Sequence, residues 1–156
     1  MDGERITLKD GGAITIRTLR LEDCARLAKI DAAITGHSRG LWFENKLKRT
    51  LSEADVGISV GAERDGLLIG AMMGTVRFGE FGVPEPVAVL DTALVDPAFA
   101  GQGVAKAMLE QLLANLKALR IARLRTEVAW NEIELIGFFG RSGFVPAPRL
   151  VLERDV

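Results

Sequence analysis

A single cysteine, Cys24, and a single histidine, His37, are all the thiol and imidazole chemistry this sequence holds. One cysteine excludes an intrachain disulfide and a cysteine zinc cluster. Cys24 falls in the apolar-patterned segment 21–34 and reads as a small buried hydrophobe rather than a reactive thiol. One histidine excludes a multi-histidine metal site. His37 lies in the polar run 35–40 (TGHSRG) and reads as a solvated loop residue, so no metal is expected. A charge surplus is also missing: 20 basic and 21 acidic residues leave a formal charge of −1. Without a basic block or basic balance, nucleic acid is excluded as the primary partner. No apolar run reaches the roughly 18 residues that span a bilayer. The opening Met1-Asp2-Gly3-Glu4-Arg5 leads into no apolar core of signal-peptide length. A cytoplasmic protein without membrane attachment is the expectation.

What is present is an ordinary globular composition, 48% hydrophobic and 26% charged, in 156 residues. That length suits a single domain over 1–156, with 1–11 read as a flexible lead-in. Segment 13–19 alternates as a short strand, and Leu27, Ile30 and Ile34 then recur at helical spacing. A second helix is predicted over 41–51, with Trp42, Phe43, Leu47 and Leu51 apolar and Lys46, Lys48 and Arg49 on a solvated face. Ile58, Val60 and Ala62 alternate before Asp65-Gly66, a tight hairpin signal. The returning strand is 67–78, where Gly70 and Gly74 suggest a bulge or close backbone approach. After a Gly/Pro loop over 79–86, the apolar run 87–95 (VAVLDTALV) reads as a strand buried on both faces.

Pro97 breaks that strand, and a turn containing Gly101 and Gly103 opens a long amphipathic helix carrying Val104, Met108, Leu109, Leu112, Leu113, Leu116 and Leu119. Segment 122–128 alternates as another strand. Asn131 is placed as the cap of a last helix, Gly143 stops it, and 144–145 and 150–152 are read as closing strands. The fold class is therefore α/β: a mixed sheet with helices on its faces.

The glycine turn is where chemistry concentrates. Glycine permits positive φ and close approach to the backbone. The first N–H groups of the following helix lack internal acceptors and favour negative charge. Such a nest suits a phosphate or pyrophosphate, although a turn of this kind can also bind nothing. A nucleoside-triphosphate loop requires Lys and Ser/Thr after the last glycine, where Val104-Ala105 stands here. A dinucleotide fingerprint belongs near the start of a βαβ unit, whereas Gly103 lies late in the chain.

The stretch Val95-Asp96-Pro97, followed by Ala100-Gly101-Gln102-Gly103-Val104-Ala105, resembles the signature of the GNAT superfamily of N-acetyltransferases. Glu127-Val128, Asn131, Phe138-Phe139 and Arg141-Ser142-Gly143-Phe144 resemble its later segments, and the order of elements matches across nearly the whole chain. The resemblance implies a mostly antiparallel sheet with a strand split, helices on both faces, and acetyl-CoA as cosubstrate. It implies that Ala93, Leu94 and Val95 hold the pantetheine arm. The amides of Gly101, Gln102, Gly103, Val104, Ala105 and Lys106 would take the pyrophosphate. Asn131, Phe138 and Phe139 would line the rest of the cofactor.

Two departures stand out. Ala100 occupies a position usually held by arginine or glutamine, which removes a side-chain donor. The chain also has no tyrosine, the residue with which many members protonate the leaving thiolate, and Phe139 stands in its place. A thiol of pKa about 8.5 is still a tolerable leaving group, so solvent can supply the proton.

An amine nucleophile must be neutral to attack, which calls for a base. Glu127 is the first candidate, matching a glutamate of ribosomal-protein N-acetyltransferases; Asp91 on the central strand is the second. Glu80 and Glu85, in the loop expected to overhang the acceptor, come third. Each carboxylate has an alternative reading as an arginine partner, with Arg123 and Arg125 nearest to Glu127 in sequence. Trp130 is either a wall of the acceptor pocket or a core aromatic. The expected activity is acetyl transfer to a primary amine, on a small molecule or a protein, by a monomer or homodimer. The alternative is a non-catalytic acyl-CoA-binding module of the same fold.

Overall fold

The computed structural model describes residues 3–51, 57–82 and 84–156. Val83 of the predicted loop lies outside them. Six strands form one sheet in sequence order: β1 (Glu4–Thr7), β2 (Ala13–Arg17), β3 (Gly57–Arg64), β4 (Leu67–Arg77), β5 (Val87–Val95) and β6 (Leu124–Thr126). The first five pair antiparallel and β6 joins β5 in parallel, giving the mixed, mostly antiparallel sheet that was expected. The helices are α1 (Cys24–Thr35), α2 (Gly40–Thr50), α3 (Val104–Ala118) and α4 (Ile133–Arg141).

The two faces of the sheet carry separate cores. On one, Val104, Met108, Leu109, Leu112 and Leu116 of α3 pack against Ile69, Met72 and Leu90. Leu113 and Leu119, read into the same stripe, are 40% and 55% exposed, so the buried stripe is narrower than the pattern suggested. On the other face, Leu27 and Ile30 of α1 and Phe43 and Leu47 of α2 cover Leu68, Ala71, Met73 and Leu94. Period-2 alternation along β4 and β5 thus serves both layers. The β3–β4 hairpin turns through Asp65 (φ 51°) and Gly66 (φ 79°), the paired positive φ values that an Asp-Gly turn supplies.

Charge ties the hairpin sheet to α1. Arg17 on β2 donates to both carboxylate oxygens of Asp23, at 2.8 and 2.9 Å, and to Glu63 on β3 at 2.7 Å. Asp23 also accepts the Arg20 backbone N–H at 2.7 Å. Burial raises the Asp23 pKa, but the Arg17 hydrogen bonds and charge outweigh it and hold the carboxyl below its ordinary value.

Four sequence expectations are corrected. Within the lead-in read as flexible, Glu4–Thr7 is strand β1, paired with β2 from Glu4↔Ile16 to Thr7↔Ala13. The strand read over 122–128 pairs only over Leu124–Thr126. The cap of α4 is Glu132, while Asn131 sits exposed in the preceding turn. Residues 144–145 and 150–152 form no strand of the sheet, and Pro146 and Pro148, which lack a backbone donor, interrupt the segment between them.

Candidate functional site

β5 and β6 stay paired for three residues only: Ala88↔Leu124, Val89↔Arg125 and Leu90↔Thr126. The Thr126 hydroxyl closes the last pair by donating to the Leu90 carbonyl at 2.9 Å. Beyond it β5 continues to Val95 with β4 on one side and an open side on the other. This is the expected strand split, and Ala93, Leu94 and Val95 lie along it.

The split opens at a β-bulge. Met73 and Gly74 are consecutive on β4 yet face Thr92 and Leu90, which leaves Asp91 as the extra residue on β5. Glycine is required opposite it, because a Cβ at Gly74 would stand 2.1 Å from the Val89 carbonyl oxygen. The bulge turns Asp91 toward α2. There Lys46 Nζ lies 2.7 Å from Asp91 Oδ1, and the Thr92 hydroxyl donates to the same carboxylate at 2.9 Å. Lys46 is also 5.3 Å from the Trp42 ring centroid, and Arg39 lies 4.6 Å over the same ring while forking onto the buried Asp31 at 2.8 and 2.6 Å. The basic run of α2 is therefore only partly a solvated face. Lys46 reaches the split, which no spacing rule along the chain indicated.

Leu124 packs toward the α3 side, so alternation along β6 puts Arg125 on the opposite face, and Glu127 follows one residue beyond the strand, near enough for its charge to act on Arg125. Arg125 pairs with Glu80, which also meets Arg77 at 3.3 Å. The Arg125 hydrogen bond, opposed by burial, holds the Glu80 carboxyl below its ordinary value. The Arg125 pKa is raised chiefly by its hydrogen bond to Glu80, with a weaker pull from the Glu127 charge. Glu80 is thus an arginine partner that pins the turn after β4 to β6. Glu127 is exposed and makes no ion pair among the described residues. Of these carboxylates, Glu80 is an arginine partner, Asp91 pairs with Lys46 and not with an arginine, and Glu127 makes no ion pair among the described residues. Glu85 is exposed, and Trp130 is 87% exposed and belongs to neither core.

The glycine turn sits at the other end of the split. Asp96 accepts the Ala98 N–H at 3.0 Å and pairs with Arg26, whose Nε donates to the Leu68 carbonyl at 2.8 Å. That latch fixes the chain as it leaves β5. Gly101 (φ 77°) and Gly103 (φ 95°) then carry it into α3, and a Cβ on either would meet nothing within 4 Å. The space over the turn is open, and the α3 N-terminus at Val104, Ala105 and Lys106 faces it with no side-chain cap. These features fit a pyrophosphate. Gln102 is held from behind: its carbonyl accepts Lys9 N–H at 3.4 Å, and its side chain lies 3.5 Å from Arg64 Nη1. Lys106 pairs loosely with Glu110 at 3.9 Å. Asn131 is exposed, Phe138 is half-buried and Phe139 is buried. Only 5% exposed, Phe139 packs in the core with its ring 4.9 Å from that of Phe144. No group of three or more potential metal-ligating side chains occurs among the described residues.

The profile of the acetyltransferase (GNAT) family matches residues 23–144. Among solved structures, an aminoglycoside N-acetyltransferase AAC(6')-Iy in complex with CoA superposes with a TM-score of 0.80 at 17% identity, covering 93% of this chain and 96% of that one. A ribosomal-protein-alanine N-acetyltransferase from Brucella melitensis biovar Abortus 2308 gives 0.72 at 18% identity, covering 91% and 99%. A transcriptional regulator from Bacillus halodurans C-125 gives 0.78 at 14% identity, covering 92% and 99%. No curated protein matches the sequence. The split sheet and its glycine turn define an acyltransferase architecture. The chain belongs to the acetyltransferase (GNAT) family. Among the described residues, no helix is long and apolar enough to cross a membrane.

Proposed function

We propose that this protein moves the acetyl group of acetyl-CoA to a primary amine by direct attack, with Glu127 as the base. One observation carries the reading: the open side of β5 runs from Asp91, at the point where β6 leaves it, toward the Gly101–Gly103 turn at the head of α3. Acetyl-CoA supplies an activated acyl carbon. The amides at the head of α3 hold its pyrophosphate, and the unpaired backbone of 93–95 aligns its arm and thioester. Glu127, which makes no ion pair among the described residues, draws a protonated amine toward the split. Glu127 takes the amine proton, directly or through water. As the C–N bond forms and the C–S bond breaks, solvent protonates the departing thiolate, since the chain has no tyrosine.

Calorimetric titration with acetyl-CoA and with desulfo-CoA tests the site, and an amine and peptide panel tests the transfer. Micromolar binding of both, with turnover of at least one amine, is expected. Failure of both to bind would remove the cofactor assignment. Tight binding without transfer to any acceptor would point instead to an acyl-CoA-binding module.

A further inference from the structure

Four charged side chains of alternating sign form a row across β5, just before the split opens. Arg77, the last residue of β4, is registered with Val87, and Arg125 on β6 is registered with Val89. The two arginines therefore stand on the strands that flank β5. Glu80 bridges them, since its Oε1 takes Arg125 Nη2 and, at 3.3 Å, Arg77 Nη1. Its Oε2 is buried and has no partner among the described residues. One carboxylate oxygen thus serves two guanidiniums. Glu127 completes the row, near enough for its charge to act on Arg125.

The middle of the row and its ends differ. The Glu80 and Arg125 side chains are only 12% and 16% exposed, and they satisfy each other out of water. Arg77 is 56% exposed, and it has no carboxylate among the described residues except the oxygen that Arg125 already holds. Glu127 is exposed and makes no ion pair among the described residues. The row therefore ends in an unmatched positive charge at Arg77 and an unmatched negative charge at Glu127. One end suits an ammonium and the other an anion. A guanidinium fits a carboxylate with two parallel hydrogen bonds, which makes a carboxylate the anion of choice. Phe78 and Phe81, next to Arg77 and Glu80 in sequence, are both exposed and offer apolar surface to whatever lies between the charges.

We propose that the acceptor is a zwitterion, an amine that carries a carboxylate on the same molecule, as an amino acid or a short peptide does. Its ammonium goes to Glu127 and its carboxylate to Arg77. This rests on the acetyl-transfer reading with Glu127 as the base. Arg77 holds the carboxylate and takes no part in the transfer itself, so it governs which amine binds. A polyamine is disfavoured, because it sets an ammonium against Arg77.

Steady-state kinetics of the intact protein with matched acceptors test this: phenylalanine against its amide, glycyl-phenylalanine against its amide, and spermidine as an amine without a carboxylate. At least one acid is expected to exceed its amide by about tenfold or more in kcat/KM. The pair with the larger ratio shows whether the carboxylate belongs to a free amino acid or to a peptide. Arg77 is exposed at the end of its strand, so Arg77→Gln leaves the fold intact. That change is expected to raise KM for the preferred acid by about tenfold, with kcat, the amides and acetyl-CoA affinity unaltered. Arg77→Lys keeps the charge and loses the fork, and should retain part of the preference. Acids used no better than their amides overturn the proposal, and so does a preference that Arg77→Gln leaves intact. In both cases continued turnover of the amides or of spermidine leaves the acetyl-transfer reading standing. Failure to bind acetyl-CoA, measured separately by calorimetry, would remove that reading and this proposal with it.

Discussion

Lys46 Nζ stands 2.7 Å from Oδ1 of Asp91, the bulged residue at which β5 and β6 part. The pair joins α2 to the central strand across the mouth of the split. A carboxylate already holding an ammonium and the Thr92 hydroxyl is a fixed part of the wall. Glu127 makes no ion pair among the described residues, and that supports the proposal of Glu127 as the base.

Glu127→Gln is therefore expected to lower kcat by about 10²-fold, the lower end of what a positioned base contributes. Acetyl-CoA affinity should not change. Asp91→Asn should cost less than about tenfold in kcat/KM, because it alters the field at the mouth and removes no proton acceptor. Steady-state kinetics of both variants, with calorimetry of the cofactor, decide the assignment. A larger loss in kcat for Asp91→Asn would make Asp91 the base.

Gly103 has φ 95° and caps α3 without a side-chain hydrogen bond. Gly103→Val forces a β-branched residue into that region and places methyl groups over the open turn. The strain is expected to cost roughly 1–2 kcal/mol in stability. The obstruction is expected to weaken acetyl-CoA binding by about tenfold or more, since it falls where the pyrophosphate would sit. Thermal melting and calorimetry separate the two effects. Destabilisation with unchanged affinity would show that the turn is purely structural.

Legibility along the chain followed how local each feature is. The β3–β4 hairpin could be read because Asp65-Gly66 carries its turn geometry in two residues. Gly74 flagged the bulge because the backbone approach there tolerates no Cβ. β5 and the glycine turn could be read because a nine-residue apolar strand ends directly in a proline and two glycines. Strand β1 escaped because Glu4–Thr7 offers one apolar residue, Ile6, and is ordered by pairing with β2. Leu150–Leu152 misled in the opposite sense, having strand propensity without a partner in its own chain. Adjacent phenylalanines differ by about 100° around a helix, so only packing could decide that Phe139 and not Phe138 enters the core. Lys46 was hidden because its role depends on how α2 lies across the sheet.

Glu80 holds the Arg125 guanidinium, and removing it should show in the rate. In Glu80→Ala the Arg125 guanidinium loses its partner two residues from Glu127, whose charge already acts on it. It is then free to engage the proposed base. A loss of roughly tenfold in kcat is expected, and Arg125→Ala in the same chain should recover part of it. Such recovery cannot come from loosening of the turn after β4, because the second substitution does not restore that tether. A double variant no better than Glu80→Ala would assign Glu80 a structural role only.

The acid limb of stability should depend on Asp23. Its carboxylate takes two hydrogen bonds from Arg17 and one from the Arg20 backbone, and its folded pKa lies below the unfolded value of about 3.9. A depressed carboxyl pKa contributes stability that is complete above the unfolded value and is lost as pH falls through the folded one. Asp23→Asn leaves Arg17 partly buried with only Glu63 as a charged partner, and is expected to cost about 3 kcal/mol at neutral pH. Asp10→Asn loses only an exposed ion pair with Arg64 and should cost far less than Asp23→Asn. Urea unfolding of both variants and the wild type from neutral pH down to below about pH 4 measures the difference. The gap between wild type and Asp23→Asn should hold at neutral pH and narrow below that value, as protonation removes the charge that substitution removes. A gap independent of pH would mean that Asp23 acts through its shape and its backbone hydrogen bond, and not through its charge on Arg17.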